Sequence, residues 1–223
     1  TFDNLANIVE AFTEELNLKS YSLYLMDYGA PVGFRLAAKH PERVQSLIIQ
    51  NGNAYEEGLR DFWAPFKAYW KDSSEKNKEA LRKLLTIDAT KWQYTHGTRQ
   101  VEAISPDNWN VDQPLLDRPG NQEGQLARFL SYVSNPPLYP AWQKALRDSQ
   151  PRTIIFWGQG DVFFTPAGGE AYLRDLPDAE LHRLNAGHFA VEDHVEYIAD
   201  NITRFFHERV EQRLPQQRED EQQ

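Results

Sequence analysis

The segment Leu25-Met26-Asp27-Tyr28-Gly29-Ala30-Pro31-Val32-Gly33 places a carboxylate between a short apolar run and a stretch of helical character. A strand ending in X-Asp-X-Gly that turns straight into a helix lifts the central side chain above a sheet. Gly29 and Ala30 supply the small neighbours such a turn needs. The plain alternative is that Asp27 caps the following helix, a common role for aspartate. Two further segments weigh against it. Trp157-Gly158-Gln159-Gly160-Asp161 puts a second carboxylate just past an apolar run, and Asn185-Ala186-Gly187-His188-Phe189 puts a histidine past the next. In open sheets of parallel strands, ligands bind in the crevice outside the carboxyl ends of the strands. Asp27, Asp161 and His188 are therefore a candidate nucleophile, acid and base, in that chain order. A carboxylate nucleophile suits attack on a saturated carbon. It forms an ester, which water can release, whereas a serine would form an ether, which water cannot readily release. His188, oriented by Asp161, would take a proton from the water attacking that ester, while the Tyr28 N–H holds the oxyanion.

The elements that must position these side chains follow from periodicity. Leu5, Ile8, Val9, Phe12 and Leu16 predict a helix over 4–17, residues 20–26 a strand, and 32–40 a helix ended by Pro41. The nearly continuous apolar run at 44–49 predicts a strand buried on both faces, completing a βαβ unit with a helix in front. From 55 to 150 the texture turns helical and aromatic. Leu59, Phe62, Trp63, Phe66 and Trp70 mark one helix, Leu81, Leu84 and Leu85 another, and 125–133 a third, while 107–124 reads as loop. The α/β rhythm resumes with a strand at 153–157, a helix at 166–175, a strand at 180–184 and an amphipathic helix through Val195, Ile198, Ile202, Phe205 and Phe206. The tail 211–223 has one apolar residue and predicts disorder. The expected organisation is a first core part at 1–54, a helical cap at 55–150, a second core part at 151–210 and the tail. Four strands alone leave a sheet edge open, which predicts further core strands ahead of Thr1 and a poorly soluble, nearly inactive chain without them.

Composition excludes several functions. With 24 basic against 33 acidic residues the net charge is −9, and no basic patch offsets it, so a nucleic-acid partner is not expected. The absence of cysteine excludes disulfides and thiolate chemistry. No apolar run reaches the ~20 residues of a membrane span, and we expect a cytoplasmic chain. No histidine pair has HExxH spacing and Gly158-Gln159-Gly160 lacks the third glycine of a dinucleotide loop, so neither metal nor cofactor is expected. His40, His182, His194 and His207 read as structural; His96, in the helical insertion, could face a pocket.

The segments LMDYGAPVGFRLA, FWGQGD and NAGHF together resemble the α/β-hydrolase fold family, in its epoxide hydrolase and haloalkane dehalogenase branch. The resemblance spans most of the chain and implies a mostly parallel sheet with helices on both faces and a helical cap. It implies Asp27 as nucleophile, His188 as base and Asp161 as its partner. It also implies that an HGxP-type loop, supplying part of the oxyanion hole, lies ahead of residue 1. Epoxide opening needs a proton donor for the alkoxide, and cap tyrosines supply it in the resembling enzymes. Tyr132 matches one such position, with Tyr69 and Tyr94 as candidates for a second. Dehalogenases often carry Trp directly after the nucleophile, where this chain has Tyr28. The reading is hydrolysis of a small apolar epoxide to a diol, ahead of haloalkane dehalogenation. A catalytically silent binding protein of the same fold is the alternative of another class.

Overall fold

The computed structural model describes residues 1–208; the tail at 211–223, for which the sequence predicts disorder, lies outside them. Helix α1 (Phe2–Glu15) precedes β1 (Tyr21–Met26), α2 (Gly29–Lys39) and β2 (Val44–Gln50). Strands β3 (Arg152–Gly158) and β4 (Glu180–Leu184) follow a long helical insertion, with α9 (Pro166–Ala171) between them. The last helix is α10 (Ala190–Asp220). Among the described residues the four strands are parallel, in the order β1-β2-β3-β4.

Side chains alternate across β2 and β3, which explains their unbroken apolar runs. Leu47, Ile49, Ile155 and Trp157 pack with Phe34 of α2 on one face; Ile48, Ile154 and Phe156 pack with Ile198 and Phe205 of α10 on the other. Each fully buried side chain of this size contributes roughly 1.5–3 kcal/mol. The register pairs Met26 with Gln50, and Gln50 with Phe156. The strands therefore end side by side, and the loops after β1, β2, β3 and β4 converge on one rim of the sheet.

Helix α2 begins three residues earlier than periodicity predicts. Pro31 falls in its first turn, where the missing N–H removes a donor that would have no helical partner. Gly33 lets α2 close on β1, since a Cβ there would lie 2.1 Å from Leu25 Cδ2. Helix α1 forms, but its apolar stripe is not the face that packs. Phe2, Ala6 and Thr13 are buried while Ile8, Phe12 and Leu16 are exposed.

The insertion contains no strand and comprises α3 (Ala64–Lys71), α4 (Glu75–Arg82), α5 (Ile87–Thr95), α6 (Asp107–Leu116), α7 (Asn121–Ser131) and α8 (Tyr139–Ser149). Most of 107–124, expected as loop, is therefore helical. Pro114 lies inside α6, and tertiary bonds outweigh its lost donor: the buried Gln113 accepts from Thr90 Oγ1 (2.7 Å) and donates to the Leu85 carbonyl (3.1 Å) and Asp117 (2.9 Å). Helix α8 packs on the core, stacking Trp142 on Phe34 with ring centroids 5.7 Å apart. No helix among the described residues is long and apolar enough to cross a membrane.

Candidate active site

Asp27 follows β1 with φ of +44°. A non-glycine residue reaches this left-handed region only when its surroundings hold it there, at a cost of about 1–3 kcal/mol. The Ala30 N–H donates to the Asp27 carbonyl (3.0 Å), closing the turn into α2. The Asp27 side chain is 38% exposed and lies on the wall of a cavity of about 690 Å³ between the sheet and the helical insertion.

His188 joins the two carboxylates. Its Nε2 lies 2.8 Å from Asp27 Oδ2 and its Nδ1 2.8 Å from Asp161 Oδ2. The His188 and Asp161 side chains are 2% and 0% exposed. Such a buried charge persists only if well bonded. Asp161 Oδ1 accepts the N–H groups of Phe163 (2.7 Å) and Phe164 (3.2 Å), and Oδ2 accepts from Asn51 Nδ2 (2.8 Å) as well as from His188. Burial pushes the His188 pKa down, but Asp161 and then Asp27 outweigh it and hold the pKa at about 10. The two carboxylates thus favour the protonated ring over the neutral one.

Sequence reasoning missed Gln50, which ends β2, and Asn51, which follows it. Asn51, at φ +46°, donates to Asp161 and accepts the Gly158 N–H (3.1 Å); Gln50 Nε2 donates to the His188 carbonyl (2.8 Å) and to Asn51 Oδ1 (3.2 Å). The signal was available: Asn51-Gly52-Asn53 follows a buried strand just as the Asp161 and His188 loops do. The insertion also rests on these loops. A Cβ on Gly187 would lie 2.1 Å from the His96 carbonyl oxygen, so the residue before His188 must be glycine for the two backbones to meet. The His96 ring packs on Trp92, with centroids 4.7 Å apart, away from the cavity wall.

The predicted tyrosines scatter. Tyr28 lines the cavity beside Asp27; its hydroxyl has no hydrogen-bond partner among the described residues, and burial first, then Asp27, raise its pKa well above the usual phenol value. Tyr132 is 1% exposed and off the wall, stacked on Trp70 with its hydroxyl 3.4 Å from that of Tyr139. Burial dominates in raising its pKa, with Tyr139 next and Asp27 a smaller contributor. The Tyr94 hydroxyl donates to Asp112 (2.6 Å) and its ring stacks on Phe189; Tyr69 is buried off the wall. Phe62, Trp63, Phe66, Phe129 and Phe163 make the cavity's interior largely aromatic. No cluster of three metal-ligating side chains occurs among the described residues.

A sheet that lines up an aspartate, an aspartate and a histidine at its strand ends, beneath a helical insertion, defines a hydrolase architecture. Residues 1–195 match the alpha/beta hydrolase fold family, and the chain belongs to it. It is 40% identical over 213 residues to an uncharacterized hydrolase of Saccharomyces cerevisiae, covering 93% of this chain and 73% of that one. It is 24% identical to epoxide hydrolase 2 of Caenorhabditis elegans (92% and 60% covered) and 26% to a haloalkane dehalogenase of Bradyrhizobium diazoefficiens (90% and 70%). A solved haloalkane dehalogenase from Agrobacterium tumefaciens superposes with a TM-score of 0.73 at 17% identity, over 92% of this chain and 73% of that one. The chain is thus a hydrolase of the α/β family, related to epoxide hydrolases and haloalkane dehalogenases.

Proposed function

We propose that this hydrolase converts a small apolar epoxide and water to a diol through an ester on Asp27. Asp27 Oδ attacks an epoxide carbon, the carbon–oxygen bond of the ring breaks, and a tyrosine hydroxyl protonates the alkoxide. Tyr28 suits that role because its phenol is on the wall and kept protonated; Tyr132, behind it with ring centroids 6.1 Å away, is the second candidate. The ester has no charge, so His188 loses one of the two carboxylates that hold its proton, and it returns that proton to the tyrosinate. The neutral ring then takes a proton from water attacking the ester carbonyl. The oxyanion meets the Tyr28 N–H at the start of α2, where the helix dipole also favours negative charge. Collapse expels the diol oxygen, which takes the proton from His188, and His188 then takes the proton that the attacking water left on the Asp27 carboxyl, restoring the carboxylate and the protonated ring.

The observation that carries the reading is the His188 ring held 2.8 Å from both carboxylates, with Asp27 in a strained turn facing a cavity. His188→Ala tests it. Alkylation should survive while hydrolysis stalls, and mass spectrometry should find the peptide containing Asp27 heavier by one epoxide. Modification elsewhere, or none, would sink the assignment of Asp27 as nucleophile.

A further inference from the structure

Helix α7 brings Gln125 and Arg128, three residues apart and hence on one face, to the wall that Asp27 also lines. Arg128 is the one cation on that wall among the described residues. The other polar groups there are largely committed. Asp112 accepts the Tyr94 hydroxyl, Thr90 donates to Gln113, and Asn121 donates to the Leu115 carbonyl. Arg128 and Gln125 make no hydrogen bond or ion pair among the described residues. The guanidinium folds back along the preceding turn of α7, so that a Cβ on Gly124 would lie 3.6 Å from Nη1, an ordinary contact distance. Arg128 lines the same cavity as Asp27 and Tyr28, and its charge opposes the effects of burial and Asp27 on the Tyr28 phenol.

We propose that Arg128, with Gln125 beside it, is a carboxylate-binding subsite, and that the preferred substrates are aryl epoxides bearing a carboxylate. The proposal rests on the epoxide reading above and departs from its apolar substrate, replacing it with an aryl epoxide whose far end is charged. The aromatic walls take the aryl ring, Asp27 takes the epoxide, and the guanidinium presents paired N–H donors to the carboxylate oxygens. An anion would otherwise be repelled by Asp27, so the pocket needs a cation to accept one.

The test compares styrene oxide carrying a para-carboxylate with its para-carboxamide, which matches it in shape without the charge. The carboxylate should be favoured in kcat/KM by about 10-fold or more, the lower end for a charge-assisted contact because Arg128 is solvent-exposed. In Arg128→Gln that ratio should fall to about 1; Arg128→Lys should keep most of it, and added salt should shrink it. A wild-type ratio at or below 1, or a ratio unchanged in Arg128→Gln, overturns the proposal. If neither epoxide turns over in the complete enzyme, the epoxide reading fails separately. The subsite is then judged by calorimetry with the corresponding diol carboxylate and diol carboxamide, where the same preference, and the same loss in Arg128→Gln, is expected; equal affinities refute it.

Discussion

Replacing Asp27 by asparagine removes one of the two charges that hold the proton on His188 while keeping the side chain's shape. The ring is 2% exposed, so water offsets little of either carboxylate's field, and with both present its pKa stands at about 10. The 2.8 Å contact to Asp27 is a charge-assisted hydrogen bond, of a kind worth about 1.5–3 kcal/mol. At ~1.4 kcal/mol for each pH unit, its loss should lower the His188 midpoint by about 1–2 pH units, and the 38% exposure of Asp27 favours the smaller figure. Titration of the imidazole resonances by NMR, assigned with His188→Gln, measures this directly. The same group links pH to stability. Its folded pKa lies above the ordinary 6.5, so the stabilisation is complete below pH 6.5 and is lost as pH rises towards 10. Denaturant unfolding across that window should show wild-type stability falling and Asp27→Asn losing its share at lower pH. A His188 midpoint that does not move in Asp27→Asn would refute the argument. Neutralising Asp27 by alkylation could not then convert His188 into a base.

Tyr28→Phe should slow formation of the alkyl-enzyme from an epoxide by about 10²-fold, the usual scale for a lost general acid, and Tyr132→Phe by less; rapid-quench measurement of the ester decides, and the reverse order returns the role to Tyr132. Asn51→Ala should destabilise the fold by about 1–3 kcal/mol in chemical denaturation, because Asp161 loses a buried donor and the Gly158 N–H its acceptor, and should slow ester hydrolysis more than ester formation. A small aryl epoxide should turn over faster than a bromoalkane of similar size; faster bromide release would move the substrate class to halides and leave Asp27 in place.

The core was legible because its signals are local. An apolar run such as 44–49 has only one good solution, a strand buried on both faces, and a polar residue at its end must lie on the rim of the sheet. That rule located Asp27, Asp161 and His188, and applied to Asn51 it would have found the bracket joining the acid and base loops. The insertion was less legible because tertiary contacts decide its details. Pro114 and the polar run around it suggest loop, yet a helix forms once Gln113 finds Thr90 and Leu85 across 23 and 28 residues of chain. The wall of the cavity was harder still. Tyr132, Tyr94 and Tyr69 are alike in local sequence character, but one hydroxyl turns to Tyr139, one to Asp112, and one ring is buried off the wall. Which face of a cap helix meets the cavity depends on packing angles that no short motif encodes. The same holds for α1, whose periodicity marks the correct element but not its buried side.

The resting protonation of His188 bears on which leaving group the site suits. Opening an epoxide keeps the leaving oxygen attached to the substrate as an alkoxide, a base strong enough to take a proton from a phenol. The imidazolium can then replenish the phenol as its pKa falls, so the proton on His188 has a destination inside the site at the moment Asp27 becomes an ester. A departing halide is too weak a base to accept that proton. For a haloalkane, His188 would stay protonated until its proton escaped to solvent from a ring only 2% exposed, delaying the base needed for hydrolysis. The two substrates also differ in their sums. Epoxide hydration consumes water and releases no proton, whereas dehalogenation releases one proton with each halide. Under the epoxide reading proposed above, the proton on His188 passes around the site and returns to the ring at each turnover, so turnover in weakly buffered solution should release no net acid, whereas dehalogenation should acidify the solution by one proton per halide.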